Sequence, residues 1–382
     1  MADDLIALGG EDDFIFKDAL TFDPQNITLS TFKRLLASYP TTVGQLHRRK
    51  AMLKLQPKPE KGSKRKTEKK ASKDSAVLSD DLLMTKTEFD PAEQKIIEAE
   101  VDKFIELDTW RYEGLPTIVS ERIAKGAKEV LNKDELVSVM EWKLKHGVFR
   151  PTLMGMVKSN QDSNVVKCAA ASVAALPKET PMVASDATFP RASLDAFNPL
   201  RGVGPATASL LLSIVSTADP AHEVPFFDDN VYLWLCMDQF PEVQRVDDGP
   251  EPQLKLRRPN GEIKAKYTIT EYRALWQACW ELRMRLNRVG EQDSAGATTV
   301  SHVDIEKVAF VLRNIAVSGF LDDLDPAEYG AKKKAELNPE PKATEPKRNQ
   351  IDNKSKKARQ EEGVKEKRER ESRGRNSKKK TA

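Results

Sequence analysis

The chain has 382 residues, 39% of them hydrophobic and 32% charged, with a mean hydropathy of −0.56. That balance is too polar for a chain folded throughout, yet the length leaves room for one domain of ordinary size with unstructured flanks. No apolar run approaches a membrane span, the start MADDLIALGGEDDF is acidic where a secretory signal is basic, and Cys168, Cys236 and Cys279 are scattered with no CxxC pair. These features argue against a membrane protein, a disulfide framework, a zinc site and an iron–sulfur loop, so neither cofactor nor metal is expected and a reducing compartment fits.

The net charge of +3 is strongly segregated. Residues 331–382 carry 19 Lys/Arg against 9 Asp/Glu, residues 48–76 carry 12 against 3 and residues 1–47 carry 3 against 7, so the block 77–330 is left at −12. A negative body repels a phosphate backbone unless its charge is locally sorted.

Residues 1–86 read as mostly disordered, with one amphipathic stretch, Ile27–Leu46, whose Leu29, Phe32, Leu35 and Leu36 share a side and which Pro40 is expected to end. A lysine-rich linker, KPEKGSKRKTEKKASKDS, follows. The all-α domain is expected over residues 87–325. It opens at Asp90-Pro91, an N-cap followed by a proline in the first turn, and runs as a helix through Leu107 with Ile97, Val101 and Phe104 at helical spacing. Further helices are predicted at Pro116–Leu131, Lys133–His146, Pro151–Ser159, Ser163–Ala175 and Thr268–Asn287. The last is His302–Ser318, capped by Ser301. Strand-like alternation is nearly absent, apart from a candidate β-hairpin at Gln253–Thr268 around Pro-Asn-Gly. From 326 onward the chain reads as a disordered basic tail.

The informative segment is SLDAFNPLRGVGPATASLLLSIVS, residues 193–216. A short helix faced by Leu194, Phe197 and Leu200 leads into Gly202-Val203-Gly204, and a second helix begins at Pro205 with Ala208, Leu211, Leu212 and Val215 inward. Two glycines permit a tight turn with positive φ, proline suits a position whose N–H has no helical partner, and the new helix aims its free amides and its positive dipole end outward. Such a turn is a candidate phosphate site, with Gly202, Val203, Gly204 and Thr207 as its candidate nucleic-acid-binding residues. A tight corner between two helices is the plain alternative. Nearby, EWKLKHGVFRP (141–151) mixes the core residue Trp142 with Lys143, Lys145 and Arg150, which are candidate nucleic-acid contacts, and with His146, read as a helix-end cap. Tyr272, Trp276 and Trp280 recur every four residues as a core stripe.

This segment resembles the helix-hairpin-helix motif, and with the downstream VPFFDDNVYLWL (224–235) the chain resembles the helix-hairpin-helix (HhH-GPD) DNA glycosylase-like superfamily. It is similar too to a eukaryotic group sharing an EWK…GVGPATAS…PFF pattern. Motif-level likeness covers about residues 194–235, and the order of parts extends it over roughly 88–320. In that superfamily an aspartate opening the helix after the hairpin stabilises the oxocarbenium-like sugar or positions the attacking water, and Asp228 and Asp229 stand in the matching place. Helix capping accounts equally well for an aspartate there. Bifunctional members carry a nucleophilic lysine early in the second hairpin helix, where this chain has Ala206, so the resemblance implies a monofunctional enzyme. It implies DNA as partner and base excision as activity. A non-catalytic chromatin or nucleic-acid adaptor that keeps the hairpin, and a helical scaffold, are the competing readings. The runs Lys64-Arg65-Lys66 and Lys378-Lys379-Lys380 suggest nuclear import, and the basic tails are candidate contacts for protein partners.

Overall fold

The computed structural model describes residues 20–57, 86–178, 188–241, 263–293 (backbone only for 289–293) and 299–324. They are helical, with no β-strand among them. The lysine-rich linker, the turn of the candidate hairpin at 253–262 and the basic tail lie outside the described residues.

The chain opens with α1 (Leu29–Ala37), capped by Thr28, and α2 (Tyr39–Lys54). This corrects the reading of the N-terminal region. Pro40 does not end a helix; it occupies the first turn of α2, where a missing N–H costs nothing. Phe22, Ile27, Phe32, Leu35, Tyr39 and Val43 are all buried in the main core. Trp234 Nε1 donates to the Phe22 carbonyl at 2.9 Å, and Arg285 donates to the carbonyls of Ile27 and Pro24 at 2.9 Å each. The folded body therefore includes residues 20–57.

Helix α3 (Pro91–Thr109) starts at a capping box in which Asp90 and Glu93 satisfy each other's backbone N–H groups. A π turn, Trp110–Gly114, joins it to α4 (Leu115–Ala124), which stops earlier than its pattern suggests because Gly126 takes φ +64. The Asn132–Glu135 capping box opens α5 (Lys133–His146), and α6 (Pro151–Lys158) and α7 (Asp162–Ala174) follow. Next come α8 (Arg191–Asp195), α9 (Pro205–Val215), α10 (Asp229–Cys236), α11 (Ile269–Asp293) and α12 (His302–Arg313). Ser301 caps α12 as expected, and that helix ends at Arg313 with a separate 3-10 turn at Ile315–Val317.

Helix α9 is the centre of the fold. Every residue from Thr207 to Val215 is buried, and it packs on α4, α7, α8 and α11. A leucine fully removed from water contributes about 1.5–3 kcal/mol, so Leu210, Leu211 and Leu212 anchor the element that carries the glycine turn. Leu194, Phe197 and Leu200 close the core on the other side of that turn. The stripe Tyr272, Trp276 and Trp280 is core, as its spacing predicts.

Candidate functional site

The hairpin turn is held by two devices. Gly202 adopts φ +79, and a Cβ there would lie 3.1 Å from both Met156 Cβ and Val157 Cγ2 of α6, so a side chain would strain the backbone and force α6 to yield. Asn160, buried at the α6–α7 junction, brackets Arg201: its Nδ2 donates to the Arg201 carbonyl at 2.9 Å and its Oδ1 accepts the Arg201 N–H at 2.8 Å. Gly204 differs. It opens α9 at φ −97, an ordinary value, is exposed, and a Cβ built on it meets nothing within 4 Å. The fold thus needs a glycine at 202 and has no internal use for one at 204.

Behind the turn lies a cavity of about 540 Å³. Gly202, Gly204 and Thr207 border it from the hairpin, Lys143 and Arg150 from the end of α5 and the loop after it, and Asp228 and Asp229 from the start of α10. Residues far apart in sequence therefore meet around one volume. Two hydroxyls fix the spacing: Ser209 on α9 accepts the Phe227 N–H at 2.9 Å, and Ser216 accepts the Val224 N–H at 2.9 Å. These bonds fasten the loop carrying the aspartates to the hairpin's second helix.

The charged groups on the wall are tuned by burial. Asp228 is buried and caps α10, its Oδ1 accepting the N–H of Asn230 at 2.7 Å and of Val231 at 3.3 Å. Burial, then the nearby charges of Glu306 and Asp229, push its carboxyl up to about 7 against those two amides. Lys143 Nζ donates to Thr207 Oγ1 at 3.1 Å and sits 5.2 Å over the Phe226 ring. Burial lowers its ammonium to about 8, with Asp229 opposing, Arg150 assisting and Asp228 opposing. Asp229 Oδ1 accepts the Tyr267 hydroxyl at 2.9 Å, and that hydroxyl accepts Arg150 NH2 at 3.1 Å, with the guanidinium 5.1 Å over the Tyr267 ring. Tyr267 holds φ +54, a left-handed conformation that costs a non-glycine residue of order 1–3 kcal/mol. Asp228 is thus a helix cap, as the plain reading has it, and its carboxyl group also borders the cavity.

Lys145 lies outside this wall, partly exposed, and pairs with Glu141 one helical turn back at 2.6 Å. His146 is no helix-end cap but a buried ring, stacked 4.6 Å from Trp142, with Nε2 3.4 Å from the Tyr39 hydroxyl. Residues not anticipated also contribute: Phe226, Tyr267 and Arg313 line the cavity, and Leu46 reaches it from α2. Phe226 stands in the PFF stretch; Tyr267, Arg313 and Leu46 belong to no local motif, and only the folded chain brings them to the cavity. The Lys143 amine approaches Thr207, the residue after Ala206, from α5.

Among the described residues no group of three or more His, Cys, Asp or Glu side chains is arranged to hold a metal ion, and no helix is long and apolar enough to cross a membrane. No protein-family model, curated protein or solved structure matches the chain.

Proposed function

We propose that this protein binds nucleic acid with the α8–α9 hairpin against the phosphate backbone, and uses the cavity behind it to receive an extruded base for monofunctional N-glycosidic cleavage. The observation that carries this reading is that one cavity of about 540 Å³ is bordered by both the Gly202–Thr207 turn and the Asp228–Asp229 pair. Its volume falls in the ordinary range for small-molecule sites, about 300–1,000 Å³. Phe226 and Tyr267 offer ring surface to a base, and Lys143 and Arg150 offer charge to a phosphate.

Cleavage builds positive charge on the sugar, and an anion preorganised in a cavity stabilises that charge as it develops. Asp229, held by the Tyr267–Arg150 relay, is suited to this. Asp228, with a carboxyl near 7, is suited to take the proton of an attacking water at neutral pH. The same reading takes the protein to the nucleus through its two lysine-rich runs.

Gly204→Glu tests the backbone contact. Because that position is open, the variant should fold with an unchanged melting temperature and yet lose duplex binding at least tenfold; unchanged binding sinks the hairpin reading. An oligonucleotide panel of damaged bases should yield alkali-sensitive abasic sites with the wild-type protein, and Asp228→Asn with Asp229→Asn together should abolish them. The capping role of Asp228 favours a second reading, a non-catalytic adaptor. Duplex binding with no base released from any lesion would select it.

A further inference from the structure

The acid-free segment 27–57 carries Lys33, Arg34, Arg48, Arg49, Lys50 and Lys54, which makes it the basic part of a folded body that is otherwise acidic. Where α2 lies matters more than its composition. Leu46 lines the cavity, and Lys50 and Lys54 follow at four-residue steps, so the three share one helix face advancing about 6 Å per step. Lys50 Nζ donates to the Lys145 carbonyl at 2.8 Å, which brings this face against the last turn of α5, whose Leu144 and His146 also border the cavity. His47, stacked 3.5 Å on Phe104 beneath the ridge, reports the field: burial and then Lys50, Lys145 and Lys54 drive its imidazole down to about 3. The acids that face this ridge, Glu98 and Glu100 from α3 and Glu141 from α5, form ion pairs with Arg48, Lys54 and Lys145. These pairs are exposed, and exposed pairs contribute about 0–1 kcal/mol, so an incoming phosphate readily takes their place.

We propose that the Lys50–Lys54 face of α2 is a second phosphate-binding surface, along which a duplex seated on the hairpin continues past the mouth of the cavity. The inference rests on the proposed nucleic-acid reading and extends it. It also resolves how an acidic body docks on a polyanion, because the positive charge is concentrated on one helix at the cavity's edge.

The test is duplex binding by the full-length protein, followed by fluorescence anisotropy across a salt series. Lys50→Glu with Lys54→Glu should weaken binding at least tenfold and flatten the slope of log K against log salt by about two, one for each phosphate no longer neutralised. The neutral pair Lys50→Gln with Lys54→Gln should show the same change of slope with a smaller loss of affinity. Lys33→Glu, a charge reversal on α1, should leave the slope as in the wild type. Thermal melts of all variants accompany the measurement. If the wild type binds, Gly204→Glu abolishes binding and the α2 variants bind as the wild type does, the ridge is refuted and the hairpin stands. If the wild type binds no duplex at low salt, both fall together.

Discussion

Two regions of this protein bury charge, and they do so for opposite ends. Beneath the cavity, Arg111 and Glu306 form an ion pair at 2.9 Å with both side chains nearly inaccessible; Ser213 and Tyr112 take up further valences, and Asp108 accepts bonds from Trp142 and Tyr39. Each of these groups bonds to another member of the folded chain. At the cavity wall, Asp228, Asp229, Lys143 and Arg150 are also bonded within the chain but border the cavity as well, and burial raises the Asp228 carboxyl to about 7 and lowers the Lys143 ammonium to about 8. A buried charge enclosed by the chain holds architecture together, whereas one that borders a cavity can also meet a ligand. The regions also communicate, since Glu306 is among the charges that raise Asp228.

The contrast can be broken most forcefully at Glu306. Glu306→Ala strands Arg111 in the core and should destabilise the fold by about 3–5 kcal/mol in denaturant unfolding. A loss below about 1 kcal/mol would show that water reaches this network and that it is not architectural. Asp228→Asn should do the reverse. Asparagine keeps the cap, and it removes a carboxyl whose folded value lies well above the unfolded one. For such a group the stability is greatest below the unfolded value near 4 and is lost as pH rises through about 7. The variant should therefore gain roughly 1–3 kcal/mol at pH 8, a gain that fades as the pH falls toward 4. A variant equal to or weaker than the wild type at pH 8 would place Asp228 in the architectural class.

Smaller still is the difference between the two glycines. Gly202→Ala should cost about 1–2 kcal/mol for its left-handed backbone, plus whatever α6 must yield, while Gly204→Ala should be neutral to folding. Equal melting temperatures would mean that the turn is softer than its geometry. The finest probe is the pH profile of base release. With Asp228 acting deprotonated and Lys143 protonated, kcat/KM should rise through about 7 and fall through about 8, a narrow bell. Lys143→Gln should remove the alkaline limb; if that limb persists, another group titrates there.

Much of the fold is legible in the chain because its punctuation is local. The Asp90 and Ser301 caps and the glycine turn each depend on residues within a few positions, and each stands where the pattern puts it. Pro40 shows the limit. A proline ends one helix or begins the next with equal local merit, and only the burial of Phe32, Leu35, Tyr39 and Val43 against α12 decides for two helices. For the site, the motif-bearing members Gly202, Gly204, Asp228 and Asp229 are readable, since spacing marks them. Tyr267, Asn160 and Leu46 are not, because their parts in the site depend on contacts across the folded chain and no periodicity announces them. Lys143 and Lys145 are two residues apart and alike in composition, yet helical geometry turns one to the cavity and the other to Glu141.

The tie between Trp234 and the Phe22 carbonyl spans 212 positions, and those from Arg285 to Ile27 and Pro24 span 258 and 261. During synthesis, then, the stretch from Phe22 to Ile27 waits for α10 and α11 before these bonds can close. Helix α2, with its four cations and no acid of its own, packs most extensively on α3, which follows it closely in sequence, and gains its contact with α12 only later. A nascent chain stopped before α12 would keep the glycine turn, the aspartates and the α2–α3 packing, but would lack the face that α12 gives to α1 and α2. Closing contacts of such separation is slow, so synthesis of this protein carries a long interval in which its most cationic helix lacks part of its support.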